Sequence, residues 1–550
     1  VNESICLSIE TFDMKNLKLT FIALLWLCCS NLHGEEEAEQ PEPNHAFKTG
    51  AEIFSHKWTK QDAASKGGDG LGPMHNDVSC VACHSQGGVG GGGPIEKNAV
   101  LLTLDPPKNP ATLMNFQRTA MSVHPSFLLE TPGAELPKPG RRGGPGFVSR
   151  KFIFTSRPSS PVNFGAQMQE MAKQFDDNME EISKTIFGTF QTSMVLHKSS
   201  TDPGYEEFLG SLMEEGSLTD YPMRTSSLDK DARREQERKL SEQPTVALEK
   251  SGLRMIVSQR NTPPLFGLGK IDRVPVGLLN RIANHQKKRG VVSGRVAKLK
   301  DGVGKFGWKG QTASLRDFVR DACANELGLH VPSARQARNP MKPLEEPAGI
   351  DLDTRELNML TKFVSALPTP RVETPTGKDA IAETKRGKKV FTKIGCAECH
   401  IENLRTKNVS VSGVYSDLLL HDMGQKLGDP VPSADESGQS VGGAYGQFLS
   451  PGNLVSTGFG EPAPTNSRQR RAHARLVAKQ QEWRTPPLWG ISATAPYLHD
   501  GRASTLEAAI LAHGGESEFS AKRYRALPET SRDSLIVFLK TLVPPEREEI

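Results

Sequence analysis

Net charge is nearly absent from this chain: 68 Lys and Arg against 64 Asp and Glu leave +4 over 550 residues. So small a surplus gives no electrostatic footprint for nucleic acid. A long apolar run is missing as well. The nearest approach, LTFIALLWLCC ending at Cys29, is too short to span a bilayer comfortably. Cysteine is also scarce, with eight in all. Cys6, Cys28 and Cys29 lie at the extreme N-terminus, which leaves Cys80, Cys83, Cys323, Cys396 and Cys399. Four of these five sit in two CxxCH units, so a disulfide framework is excluded as their purpose. What the chain has in quantity is Gly (51) and Pro (38), on an ordinary background of 36% hydrophobic and 24% charged residues. That composition predicts a loop-rich globular protein, and the length predicts two or more domains.

Residues 14–34 read as an export signal. MKNLK from Met14 supplies the basic start and LTFIALLWLCC the apolar centre, followed by the acidic, unpatterned SNLHGEEEAEQPEP. The expected start is Met14, with cleavage between Ser30 and Glu35 and a periplasmic or otherwise exported product without a stable membrane span. A lipid anchor on Cys28 or Cys29 is the alternative, against which stands the lack of a small residue before either cysteine.

The two CxxCH units are CVACH, Cys80 to His84, and CAECH, Cys396 to His400. Two thioether bonds to porphyrin vinyl groups need thiols three positions apart, and the next residue's imidazole then falls beneath the iron. The cofactor expectation is therefore two covalently bound haem c groups on Cys80, Cys83, Cys396 and Cys399, with His84 and His400 as iron ligands. A zinc site would want more cysteines, and a thioredoxin-like pair does not require the histidine. Before the second unit, Val390, Phe391 and Ile394 share one face of a helix that stops at Gly395. Before the first, Phe47, Gly50, Ala51 and Phe54 form the corresponding stripe.

The halves repeat more than this motif. RNTPPLFG, Arg260 to Gly267, answers RTPPLWG, Arg484 to Gly490; GWKGQTASL, Gly307 to Leu315, answers LHDGRASTL, Leu498 to Leu506. The fold expectation is mostly α: two tandem cytochrome c-like helical haem domains with long loops. Their spans are 45–368, with an insertion at about 100–255 read as solvated helix and loop, and 379–546. The linker runs near Thr369 to Lys378. The basic HQKKRG run from His285 reads as a solvated face, or as a docking surface for an electron donor.

Leu506, Ala509, Ile510 and His513 share one helical face, so His513 is a candidate second ligand to the C-terminal haem or, equally, a core or capping histidine. Seven residues after Leu315 the first half has Ala322, and Glu326 follows. A carboxylate there suits an iron left open to a small substrate. A surface cap or ion pair is the competing reading of Glu326.

Taken together, both CxxCH units, RNTPPLFGLGKID, FGWKGQTASL with ANELG, YSDLLLHDMG and RTPPLWGISATAPYLHDGRASTLEAAILAHGGE resemble the bacterial di-haem cytochrome c peroxidase and MauG superfamily, in particular its large di-haem oxidoreductase branch. The resemblance implies a peroxide-reacting N-terminal haem and an electron-exchanging C-terminal haem. It implies Trp308 between them, Glu326 as acid/base group, His513 as distal ligand of the C-terminal haem, and a calcium ion as a candidate further cofactor. It implies two partners: a small redox donor or acceptor protein and a peroxide-type small molecule. His124 and His197 are candidate distal ligands of the first haem, and His421 and His499 are expected to orient structure near the second. A non-catalytic di-haem electron-transfer cytochrome is the rival function, and a redox or ligand sensor is a third.

Overall fold

A computed structural model describes residues 47–105, 193–214, 245–250, 253–299, 302–342, 345–347, 349–429 and 481–546, all within one compact unit, Phe47–Ile550. Residues 14–34, His124 and most of the expected insertion lie outside them. The elements used below are helices α1 (Gly50–Ser55) and α2 (Cys80–Cys83), strands β1 (Ala99–Asp105), β2 (Ser193–Leu196), β3 (Thr245–Lys250) and β4 (Leu253–Arg260), helices α3 (Val276–Arg289), α4 (Leu315–Glu326), α5 (Thr354–Ala366) and α6 (Lys378–Ile394), strands β5 (Leu420–Asp422) and β6 (Glu482–Arg484), and helices α7 (Leu506–Ala512) and α8 (Glu529–Lys540).

One expectation is corrected at once. The described residues are 39% helix and 16% strand, a mixed composition rather than a mostly α one. Part of the stretch expected to be solvated helix and loop supplies a four-stranded antiparallel sheet, order β2-β1-β4-β3. The cause is local. AVLLTL and the MIV centre of RMIVSQ are largely apolar and rich in branched side chains, which suit a buried strand, and Leu101, Leu102, Met255 and Val257 are all buried.

The two halves are built on one frame. α1 is capped by Thr49, whose side chain accepts from the Glu52 amide, and it crosses α5. α6, ended by Gly395 in the left-handed region, crosses α8. Both crossings pivot on glycine: a Cβ on Gly50 would collide with the Met359 carbonyl and lie 2.7 Å from Phe363 Cβ, and one on Gly387 would collide with the Ser534 carbonyl and lie 2.7 Å from Phe538 Cβ. Four residues on, Phe54 packs on Phe363 (5.2 Å between ring centres) and Phe391 on Phe538 (5.5 Å).

The repeated turns also match. Gly267 (φ 68°) and Gly490 (φ 64°) occupy the same left-handed conformation, where a side chain would be strained. They sit across from each other: the Trp489 ring covers Gly267, and Gly490 approaches Phe266. Next, Phe306 bridges Thr312 and Tyr497 bridges Ala503, each closing a loop before a capped helix. Ser314 caps α4 and Thr505 caps α7, each side chain accepting an amide three residues on. The larger hydrophobic core extends from Phe54, Leu357 and Leu360 into Leu404, Val414, Leu418 and Trp489; a second gathers Phe391, Ile394, Leu535 and Phe538.

Candidate haem sites

In the second half, Cys396 and Cys399 follow the C-cap of α6 and deliver His400 to the floor of an apolar cavity of ≈ 240 Å³. The His400 Nδ1 donates to the Tyr415 carbonyl at 2.8 Å. Burial lowers its pKa to about 4, so the ring is neutral and Nε2 keeps its lone pair. His513, the C-cap of α7, lines the same cavity; its Nδ1 donates to the Ala509 carbonyl at 2.7 Å, and burial lowers its pKa too. Both imidazoles thus have the tautomer that a backbone carbonyl fixes in iron- or zinc-bound histidine. The thiols carry no disulfide, and burial pushes Cys396 up to about 12 and raises Cys399. Two neutral imidazoles, two half-buried neutral thiols and walls of Leu506, Ile510, Phe391 and Leu535 fit a covalently attached haem.

His421 and His499 line this cavity without the features of ligands. His421 is clamped by Asp417 through Nε2 and Glu516 through Nδ1, both at 2.9 Å. Burial opposes its charge, but the two carboxylates outweigh it and hold the pKa well above 6.5; Glu516 falls to about 2 against its own burial by bonding His421 and Ser293. His499 stacks on Trp483 at 3.6 Å and 15°, and burial lowers it to about 3. Lys309 covers the Trp483 ring at 3.5 Å, and with Arg260 it pairs with the buried Asp429.

Trp308 lines the cavity as well, pinned between the two repeats. Its Nε1 donates to the Asn261 carbonyl at 2.9 Å, and its own carbonyl accepts from the Arg484 amide at 2.8 Å.

The first half repeats the attachment geometry. Ser79 caps α2, and the His84 Nδ1 donates to the Gly91 carbonyl at 3.1 Å. Burial lowers His84 to about 4, raises Cys80 to about 12 and raises Cys83 further. Each carbonyl that orients a proximal ring is anchored by its repeat. The Leu265 amide binds the Gly90 carbonyl beside Gly91, and the Leu488 amide binds the Val414 carbonyl beside Tyr415. Phe54 lies 6.5 Å from the His84 ring and Phe391 6.5 Å from that of His400.

Glu326 ends α4 beside this unit. Its carboxylate accepts from Asn76 Nδ2 at 2.7 Å, its carbonyl accepts from the Asn76 amide at 2.7 Å, and its charge acts on the Cys83 thiol. Around it stand groups the sequence reading missed: Asp77, 3.5 Å from Cys83 Sγ and ion-paired with Lys97, and Lys198, which burial lowers to about 8. The available signal was the HND run just ahead of CVACH. His197 donates through Nε2 to the Asn325 carbonyl at 2.9 Å, while its buried Nδ1 has no partner among the described residues.

Against known proteins, residues 469–542 match a family model described as "Di-haem oxidoreductase, putative peroxidase". The methylamine utilization protein MauG of Methylorubrum extorquens is 27% identical over 208 residues, covering 36% of this chain and 46% of that protein, so the chain spans about half the length of this curated relative. Among solved structures, a xenon-pressurised hydrazine synthase of Kuenenia stuttgartiensis overlaps at TM-score 0.28 and 18% identity, over 52% of this chain and 73% of that one. A MauG-like protein associated with microbial copper homeostasis overlaps at 0.20 and 19%, over 34% and 57%. These two overlaps are too partial to carry an argument about fold.

Proposed function

The chain belongs to the di-haem cytochrome c peroxidase and MauG superfamily, and on that premise we propose that it is an exported di-haem c-type oxidoreductase. In this reading hydrogen peroxide or a related oxidant reacts at a haem held by Cys80, Cys83 and His84. Electrons are exchanged through a second haem held by Cys396, Cys399, His400 and His513, with the haem domains at 45–368 and 379–546. Export and the two-domain division belong to the proposal; among the described residues no helix is long and apolar enough to cross a membrane.

The observation that carries the reading is an asymmetry inside a repeated frame. Seven residues beyond the leucine that opens α7 stands His513, facing His400 across one cavity. Seven beyond the leucine that opens α4 stands Ala322, which has no atom to offer a metal. Haem c, when bound, would supply an iron able to exchange single electrons and to react with an oxidant. The rest is the chain's work. Glu326, fixed by Asn76, would carry the proton that peroxide cleavage requires, which the Asn76 hydrogen bond supports by holding its carboxylate in one pose. Trp308 would pass single electrons between the halves, a role supported by its being held by both repeats at the wall of the second cavity. His400 and His513, both held neutral by burial, would hold the second haem between them and so keep substrate from its iron.

One observation favours the rival electron carrier: the buried, unpartnered His197 Nδ1 near the end of α4 offers the first half an imidazole of its own. Electron paramagnetic resonance separates the two readings. Protein matured with two haems by mass should give one open, high-spin iron that alone responds to peroxide, and one low-spin bis-imidazole iron whose signal His513→Met converts to a His/Met type. A mass with fewer than two haems, or two low-spin irons inert to peroxide, would overturn the proposal.

A further inference from the structure

Helix α3 contains no acidic residue in VGLLNRIANHQKKR and carries Arg281, Lys287, Lys288 and Arg289, with His285 exposed among them. Its apolar side, Leu278 and Leu279, is buried, which turns the cations outward. Lysines and arginines in a last turn are stabilised by the helix dipole, which accounts for Lys287, Lys288 and Arg289. It does not account for Arg281, two turns earlier. Among the described residues, Arg281, Lys287 and Lys288 make no ion pair.

The helix is fastened over the second site from both sides. Gln286 donates to the Glu398 carbonyl at 2.8 Å and to Asp417 at 2.7 Å, and Arg289 pairs with Glu398 at 2.9 Å. Just past the helix, Ser293 bonds Glu516 through its amide at 2.9 Å and its hydroxyl at 2.7 Å. Glu398 lies inside CAECH, and Glu516 lies three residues after His513. The basic end of α3 therefore bridges the attachment peptide and the distal side of the same cavity. Between α3 and that peptide runs a groove of ≈ 340 Å³ with Ile282, Ala397 and Ile401 as its apolar lining, Arg281, His285 and Arg289 as its basic one, and Glu398, paired with Arg289, as its acidic group.

We propose that this groove and the cationic face of α3 dock an acidic one-electron carrier protein, whose carboxylates meet Arg281, Lys287 and Lys288 while its redox centre approaches the edge of the haem on Cys396 and Cys399. The inference rests on the proposed attachment of that haem. One electron passes between the carrier and the iron, with no bond made and no proton moved. In a chain whose net charge is only +4, a local cluster of unpaired cations around an apolar groove favours a protein with an anionic rim over an extended polyanion.

Acidic plastocyanin is the test probe, titrated calorimetrically into the two-haem protein at ionic strengths of about 10 mM and about 300 mM. Its Kd should weaken at least about tenfold across that range, and Lys287→Glu/Lys288→Glu should weaken low-salt binding by about tenfold or more. Lys385→Glu/Lys389→Glu, the same charge change on exposed positions of α6, should leave binding within about twofold. Stopped-flow electron transfer to the low-spin haem should follow the same order. Equal losses in the two double variants would reduce the effect to overall charge and sink the docking site. So would basic mitochondrial cytochrome c binding as well as plastocyanin, or anionic vesicles binding where plastocyanin does not. A mass showing no haem on Cys396 and Cys399 fails the underlying site reading. Unaltered binding in Lys287→Glu/Lys288→Glu with both haems present fails the docking inference alone.

Discussion

The half that presents His84 and the half that presents His400 agree wherever backbone sets the geometry and differ wherever a side chain decides the chemistry. A glycine lets two helices cross, a phenylalanine one turn on faces the proximal ring, a backbone carbonyl takes the ring's Nδ1, and a left-handed glycine closes the Thr-Pro-Pro turn that anchors that carbonyl. None of these depends on what the iron would do. The seventh residue after the opening leucine is Ala322 in one half and His513 in the other, and α4 runs on to Glu326 whereas α7 stops at His513. On the proposed reading, a repeated frame would hold two irons in one pose and leave a single helix face to set their reactivity.

The sharpest way to break the contrast is to make the first half imitate the second. Ala322→His should supply the missing imidazole, convert the open iron to a low-spin bis-imidazole centre and abolish its reaction with peroxide while the second iron's spectrum stays put. Paramagnetic resonance and stopped-flow mixing read both. An unchanged high-spin signal and full peroxide reactivity would mean that α4 and α7 do not present equivalent positions.

A smaller loss is expected from Glu326→Gln, which keeps the acceptor for Asn76 but cannot carry a proton. The reaction with peroxide should slow by about a hundred-fold, about 2.7 kcal/mol, with both haems bound and the low-spin signal intact. A rate equal to that of the unmodified protein would assign Glu326 to holding the Asn76 segment alone.

Much of the second site could be read in advance because its parts are local. CxxCH is contiguous, and Leu506, Ile510 and His513 follow one helical period. The repeated turns were legible for the same reason. What escaped was assembled over distance: Lys198 reaches the surroundings of Cys83 from within the insertion, and Asn76 meets Glu326 across 250 residues. The sheet escaped for another reason. AVLLTL is short and apolar but for Thr103, and a run of that kind has no alternation to announce a strand. His197 could be named as a candidate from its residue type, but its buried Nδ1 is a fact of packing. The basic run on α3 was visible as charge, while its seat against Glu398 and Glu516 was not.

The finest test concerns the frame itself, through the two crossings at Gly50 and Gly387. A methyl group at either position meets a backbone carbonyl of the partner helix, Met359 in one half and Ser534 in the other, and neither carbonyl can move without shifting its helix. Overpacking of this kind costs about 1–3 kcal/mol, because the helices must separate by a few tenths of an ångström or more. If each crossing supports its own haem, Gly387→Ala should perturb the low-spin centre near Phe391 and His400 and leave the open centre alone. Gly50→Ala should do the reverse through Phe54 and His84. Thermal unfolding followed at haem-specific bands would record each loss, and the two should add in the double variant, since the sites share no partner. Strong non-additivity would show instead that the larger core, which already runs from Phe54 to Trp489, couples the two crossings into one cooperative unit.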